Sequence, residues 1–175
     1  MHLTGGHYIS VVDKKAVEFA LACEVTRRNR LVLLNLLGRR YATRLYSFQT
    51  FDKLDGVEQC GVIDYKTKLP YAVRYSKINL NPVLRCTQTG IPLRAFDIMG
   101  NGGFLLSSFQ EELDEQFKDG EDLVMYESYE DALDKVRYYL GHEDERSRIS
   151  LSGYTKVMKS HTLEQRFDQI LNKLG

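Results

Sequence analysis

The sequence predicts an α/β protein: a Rossmann-like, doubly wound, mostly parallel sheet flanked by helices, with helical segments at both ends of the chain. Three observations predict it. Short runs rich in β-formers alternate with helical patterns along most of the chain, the order expected of βαβ units. Phe104-Leu105-Leu106 is apolar at every position, as in a strand covered on both faces, and parallel sheets require such strands. Ala132, Leu133, Val136 and Tyr139 recur at helical spacing, so residues 129–140 form an amphipathic crossover helix.

The elements follow in order. Ala16, Phe19, Ala20 and Cys23, then Leu31, Leu34, Asn35 and Leu37, give residues 12–37 as two helical segments or one bent unit, stopped at Gly38. Residues 41–48 read as a first strand and 57–63 as a second. Asp64-Tyr65 caps a helical stretch running through Pro70 to Arg74, and proline is most comfortable near that start. A third strand covers 78–83 and must end near Pro82. A helix then starts at Gly90-Ile91-Pro92, with proline in its first turn, and closes at Gly100. Gly102-Gly103 turns the chain into the fourth strand at Phe104-Leu105-Leu106. Residues 109–117 form a short helix, 123–126 a fifth strand, and 143–174 a helical tail broken near Gly153 and at Ser160-His161-Thr162.

A chain of 175 residues predicts one domain over 1–175, with an opening helical segment over 1–40 and the sheet core with its C-terminal helices over 41–175. Hydrophobic content of 43% and charged content of 27% are globular values, with no run suited to a membrane span or signal peptide; a soluble, cytoplasmic protein is expected. The three cysteines, Cys23, Cys60 and Cys86, are odd in number and widely spaced, which argues against a disulfide framework or a zinc site and makes them buried fillers.

Charge is balanced overall but unevenly placed: residues 1–94 hold 15 Lys+Arg against 7 Asp+Glu, and residues 95–175 hold 9 against 17. Either the two halves meet as complementary faces, or the basic half faces an anion or another domain. A nucleic-acid partner would call for a net basic balance and a recognisable motif, and the sequence has neither.

The catalytic inventory is thin. His2, His7, His142 and His161 are scattered, without a nucleophile elbow or a metal-ligand pattern, so no metal site is expected. There is no Walker sequence and no Gly-x-Gly-x-x-Gly; Gly100 to Gly103 lie at a helix end and read as a turn. The helix start from Gly90 through Ile91, Pro92 and Leu93 instead presents free N–H groups to an anion. Three apart on the next turn, Arg94 offers a fork for a diphosphate and Asp97 a carboxylate for ribose hydroxyls, the bland alternative being a surface ion pair. Lys77 and Arg85 flank the third strand and could face an anion. Tyr65 lies where a base or ribose would pack, or anchors a helix start.

Residues 90–107, from Gly90-Ile91-Pro92-Leu93-Arg94 through Phe96-Asp97-Ile98 to Gly102-Gly103-Phe104-Leu105-Leu106-Ser107, closely resemble the core of the spore-maturation CgeB-like glycosyltransferases, a bacterial branch of the GT-B superfamily. Ser76-Lys77-Ile78-Asn79-Leu80-Asn81, Glu111-Glu112-Leu113 with Phe117 and Gly120-Glu121-Asp122, Tyr138-Tyr139-Leu140, Glu145-Arg146, and His161-Thr162 through Arg166 match further family segments in order, covering residues 57–174.

The resemblance implies the C-terminal, donor-binding domain of a metal-independent enzyme that moves a sugar from a nucleoside diphosphate sugar to an acceptor. It implies no cofactor beyond that substrate, and an N-terminal acceptor domain as partner. On the same basis Gly90 to Leu93 would meet the diphosphate, Arg94 the leaving nucleoside diphosphate, and Asp97 the donor ribose. Thr89 stands where related retaining members carry an acid at the sugar, and Tyr65, Lys77 and Asn81 join the substrate-binding set. The competing expectation is a non-catalytic nucleotide- or protein-binding module on the same fold. Exposed apolar surface in residues 1–50 would drive self-association.

Overall fold

The computed structural model describes residues 13–83 and 90–174. Five strands and seven helices follow along them in this order: α1 (Lys14–Gly38), β1 (Thr43–Tyr46), β2 (Val57–Gly61), α2 (Leu69–Tyr75), β3 (Asn79–Asn81), α3 (Leu93–Gly100), β4 (Leu105–Ser108), α4 (Glu111–Gln116), β5 (Val124–Tyr126), α5 (Tyr129–Gly141), α6 (Glu143–Ser160) and α7 (Leu163–Leu174). Every strand pairing is parallel, but the strands divide into two sheets, β1-β2 and β3-β4-β5. The architecture is the expected Rossmann-like one, with parallel strands flanked by helices.

The three-stranded sheet is the centre of the molecule, and side-chain alternation sends its residues to two apolar clusters. Leu105 and Met125 point to one face, where they meet Leu69 and Val73 of α2, Ala95, Ile98 and Met99 of α3, Leu113 of α4 and Val157 of α6. Phe104, Leu106, Val124 and Tyr126 point to the other, against Leu33 and Leu37 of α1, Ala132, Val136 and Tyr139 of α5, and Ile149 of α6. Leu106 is wholly buried. Removing such a side chain from water contributes about 1.5–3 kcal/mol, so these strands need no intrinsic β-preference to hold.

Several sequence expectations are corrected. Of the two alternatives for the opening helix the single unit holds: residues 14–38 are one continuous helix, capped by Asp13, whose carboxylate accepts from Lys15 N at 3.1 Å. Its first half is exposed, and only Thr26, Leu33 and Leu37 are buried. The stretch after β2 is a turn through Asp64 to Lys68, with α2 beginning at Leu69. Pro92 stands at the N-cap of α3, one residue ahead of the first turn, and Leu93 is 77% exposed rather than part of the apolar side. Residues 109–110 lie outside α4. Gly153 does not break the tail helix. It lies inside α6 because a Cβ there would stand 2.2 Å from the Asp122 carbonyl oxygen, so close packing requires glycine despite its helix cost of about 1 kcal/mol. Cys23 and Cys60 are half-buried rather than buried, and Cys86 lies outside the described residues.

The turn that launches β4 has the expected chemistry. Gly102 N donates to the Met99 carbonyl and Gly103 N to the Ile98 carbonyl, each at 2.9 Å, with Gly102 at φ +72°. These are the paired bonds of a Schellman C-cap, which end α3 and satisfy its last carbonyls.

Candidate functional site

In an open parallel sheet, ligands bind beyond the carboxyl ends of the strands. At that edge three segments converge: the turn after β2, the start of α3, and the β4–α4 junction. The Asp64 carboxylate accepts from Lys66 N at 3.1 Å and from Thr67 N at 2.6 Å, an Asx-turn that fixes the neighbouring Tyr65. Hydrogen bonds from the Thr67 side chain and backbone hold the Asp64 carboxyl below the usual carboxylate range.

Tyr65 reaches across to α3, and its hydroxyl donates a hydrogen bond to Asp97 Oδ1. That bond, with burial and the carboxylate charge adding to it, pushes the Tyr65 phenol up, while the nearby Arg94 guanidinium works in the opposite direction. Arg94, Asp97 and Tyr65 therefore form one cluster. Among the described residues Asp97 pairs with the Tyr65 hydroxyl rather than with Arg94. Arg94 is exposed and Asp97 half-buried, leaving the guanidinium fork open to an incoming anion.

The backbone ahead of α3 completes the feature. Gly90 has φ +91°, a conformation side-chain-bearing residues avoid, and its N–H donates to Glu112 Oε1 at 3.2 Å. Ile91 and Pro92 are half-buried, with Ile91 resting on the α3-side cluster. Leu93 and Arg94 lie in the first turn, where no intrahelical carbonyl faces their N–H groups. Charge-favouring geometry of this kind suits an anion at a helix start.

The remaining predicted residues are placed differently. Asn81 ends β3 at the ligand edge but is buried, its amide donating to Ser107 Oγ at 3.1 Å while that hydroxyl donates to the Asn81 carbonyl at 3.2 Å. Lys77 is exposed at the amino end of β3, the opposite edge from Gly90. Thr89 and Arg85 lie outside the described residues.

Residue-by-residue sequence reasoning missed three participants. Glu112 contacts Gly90 across 22 positions, with no local spacing to announce it. Gln110, at the carboxyl end of β4, is buried with Oε1 lacking any partner among the described residues. A buried acceptor left unpaired costs about 1–3 kcal/mol, so a ligand hydroxyl or amide there would be stabilised. His161 supports α3 from behind, its ring centroid 5.5 Å from Phe96 and 5.0 Å from Phe117. Arg166 Nη2 lies 2.7 Å from His161 Nδ1, and because a guanidinium can only donate, Nδ1 is the acceptor and the ring is neutral. Burial, then the Arg166 and Lys156 charges, push the His161 pKa down.

Two shallow grooves lie elsewhere, one of about 470 Å³ along α6 beside Asp122 and Lys156, the other of about 550 Å³ between α1 and residues 52–55; neither includes a residue of the α3 start. Among the described residues no three His, Cys, Asp or Glu side chains are grouped so as to hold a metal ion, and no helix is long and apolar enough to cross a membrane.

Comparison with known proteins bears on the family and the fold. Residues 16–172 match the model of a family described as glycosyl transferase-like. The fold is similar to the crystal structure of the C-terminal domain of a glycosyl transferase group 1 family protein (LpcC) from Francisella tularensis, with a TM-score of 0.50 and 18% identity, covering 64% of this chain and 56% of that one. The chain thus spans little more than half the length of that solved domain. No curated protein matches the chain.

Proposed function

We propose, proceeding from the fact that the chain belongs to the glycosyl transferase-like family, that it forms the donor-binding domain of a glycosyltransferase acting on a nucleoside diphosphate sugar. The observation that carries this is the meeting of Tyr65, Arg94 and Asp97 at the start of α3. Asp97 accepts from the donor ribose hydroxyls, which take the place the Tyr65 hydroxyl fills in the free protein. Gly90, Ile91, Pro92 and Leu93 form the diphosphate wall. Tyr65, 61% exposed, then packs against ribose or base.

In the transfer step the bond from the anomeric carbon to the diphosphate oxygen breaks, and the leaving nucleoside diphosphate keeps the electron pair. Arg94 stabilises that growing negative charge, and the acceptor oxygen forms the new glycosidic bond as its hydroxyl proton passes to the departing diphosphate. Gln110 offers its unpaired acceptor to a donor-sugar hydroxyl, and Thr89, the residue before Gly90 in sequence, is assigned to the donor sugar. Asn81 fixes the ligand end of β3 through its buried bond to Ser107, and Lys77 stands exposed at the strand's other end. In this proposal the enzyme is bacterial and cytoplasmic, belongs to the CgeB-like branch, works without metal, and meets its acceptor on a separate N-terminal domain.

Calorimetric titration of the chain with UDP, GDP and their sugars tests the reading. At least one nucleotide is expected to bind, and Asp97→Ala to weaken it about 10- to 100-fold, the worth of charge-assisted hydrogen bonds. The chain alone should bind donor with little turnover. A folded protein that binds no nucleotide would refute the proposal.

A second reading has one observation behind it. Leu163, Phe167, Ile170 and Leu171 line one side of α7 and are all more than half exposed, as are Phe19 and Leu21 on α1. A non-catalytic module that docks a protein or a second copy of itself would use such faces. Nucleotide binding lost on Asp97→Ala would count against it.

A further inference from the structure

Among the described residues the buried polar side chains are paired, with one exception. Thr26 donates to the Ala22 carbonyl, Asn81 and Ser107 bond to each other, the Asp122 carboxylate accepts from Ser152 and Lys156, and Arg146 donates to the Tyr139 carbonyl. Gln110 is 9% exposed, and its Oε1 meets no donor. A buried acceptor without a partner lowers stability, so its place in the fold asks for a reason. That place is the carboxyl edge, where an open parallel sheet takes its ligand. Gln110 follows β4 and caps α4, and the chain on either side of it is pinned: Ser108 Oγ accepts from Val83 N at 2.9 Å beyond β3, and Glu112 Oε1 accepts from Gly90 N at 3.2 Å ahead of α3. Tyr65 and Asp97 reach the same edge from the β2 side.

We propose that Gln110 is a specificity-determining residue that reads a hydroxyl of the transferred sugar, so that the site prefers an intact nucleoside diphosphate sugar to the spent nucleoside diphosphate; this rests on the donor-site reading above. In the donor, ribose and sugar stand at opposite ends of the diphosphate. A ribose held on Asp97 beside Tyr65 therefore directs the sugar away from the β2 side, toward the junction of β4 and α4. The Gln110 oxygen can be satisfied only by an O–H or N–H. A sugar hydroxyl supplies one, and the spent nucleotide has no sugar to supply it. Substrate and product both make the ribose contact, whereas substrate alone makes this one, and only such a difference separates two ligands. A sugar without that hydroxyl leaves the oxygen unpaired, and a site built to pair it discriminates against such a sugar.

The experiment compares UDP with UDP-glucose and UDP-N-acetylglucosamine, and GDP with GDP-mannose, by calorimetry on the 175-residue chain, on Gln110→Met and on Gln110→Ala. Gln110→Met keeps the length of the side chain and removes its amide; Gln110→Ala removes the side chain. In the parent at least one nucleotide sugar is expected to bind about tenfold more tightly than its own nucleotide, and both variants are expected to lose that preference while binding the nucleotide within about twofold of the parent. The urea midpoint of Gln110→Met is expected to rise, because the unpaired acceptor is gone. A parent without the preference, a preference kept in both variants, or an equal loss for nucleotide and nucleotide sugar overturns the proposal and leaves the donor site standing. A buried water seated on Oε1 would satisfy the oxygen without a sugar and give the second of these results. A midpoint that does not rise in Gln110→Met shows that Oε1 is already satisfied in solution, which also overturns it. Failure of every nucleotide to bind the folded parent chain overturns the donor-site reading, and this inference with it.

Discussion

The two sheets of this protein are both parallel, yet they are held by different forces. In β3-β4-β5 the central strand is covered on both faces: Leu105 and Leu106 are buried against opposite helix layers, and β5 is buried at every residue. In β1-β2 no residue is fully buried, and the strands are laced by surface contacts, with Arg44 Nε 2.8 Å from Glu58 and the Gln59 amide bridging the Phe51 backbone at 2.8 and 2.9 Å. Buried apolar area dominates the first; exposed ion pairs contribute little to the second. The candidate site spans the difference. Tyr65 comes from the end of β2, Asp97 and Gly90 from the βαβ unit, and the Tyr65–Asp97 bond ties the lightly held sheet to the firmly held one.

The contrast predicts a graded set of responses. The largest belongs to the central sheet: Leu106→Ala should lose about 2–5 kcal/mol of unfolding free energy, measured by urea denaturation, because the site has both faces packed and cannot collapse. A loss below about 1 kcal/mol would remove the distinction between the sheets.

An intermediate response belongs to the helical corner behind α3. The His161 pKa is depressed in the folded state, so the unfolded chain binds the proton more readily as pH falls. Its contribution is complete above the ordinary value of 6.5 and declines as pH drops through the folded value, when protonation ends acceptance from Arg166 and adds a cation beside Lys156 and Arg166. The fall in midpoint between pH 7 and pH 5 should be smaller in His161→Asn than in the parent; an identical fall would place the titration elsewhere.

The smallest response belongs to β1-β2. Arg44→Ala should cost about 0–1 kcal/mol, since both partners are largely exposed and screened by solvent. A cost equal to that of Leu106→Ala would show that surface charge, not core burial, orders this protein.

The same division explains what could be read from the sequence. Five strands and the αβ turn at Gly102-Gly103 were legible, because a covered strand needs an apolar run and a Schellman cap needs glycine in a left-handed conformation. Arg94 and Asp97 were legible as neighbours on one helix. Their relation to Tyr65 was not, since 32 positions separate Tyr65 from Asp97 and only the fold brings them together. Gly153 misled because helix propensity marks it as a break, whereas close approach to Asp122 makes it a requirement. Glu112 was visible as part of a resembling segment, but nothing local ties a carboxylate on α4 to the N–H of Gly90.

The most direct test of the donor-site claim is a nitrogen-15 NMR titration of the chain with UDP and GDP. Saturable shifts centred on Gly90, Arg94, Asp97 and Tyr65, absent in Asp97→Ala, are the predicted result. Shifts centred instead on the α6 groove beside Asp122 and Lys156, or no shifts at all, would contradict it.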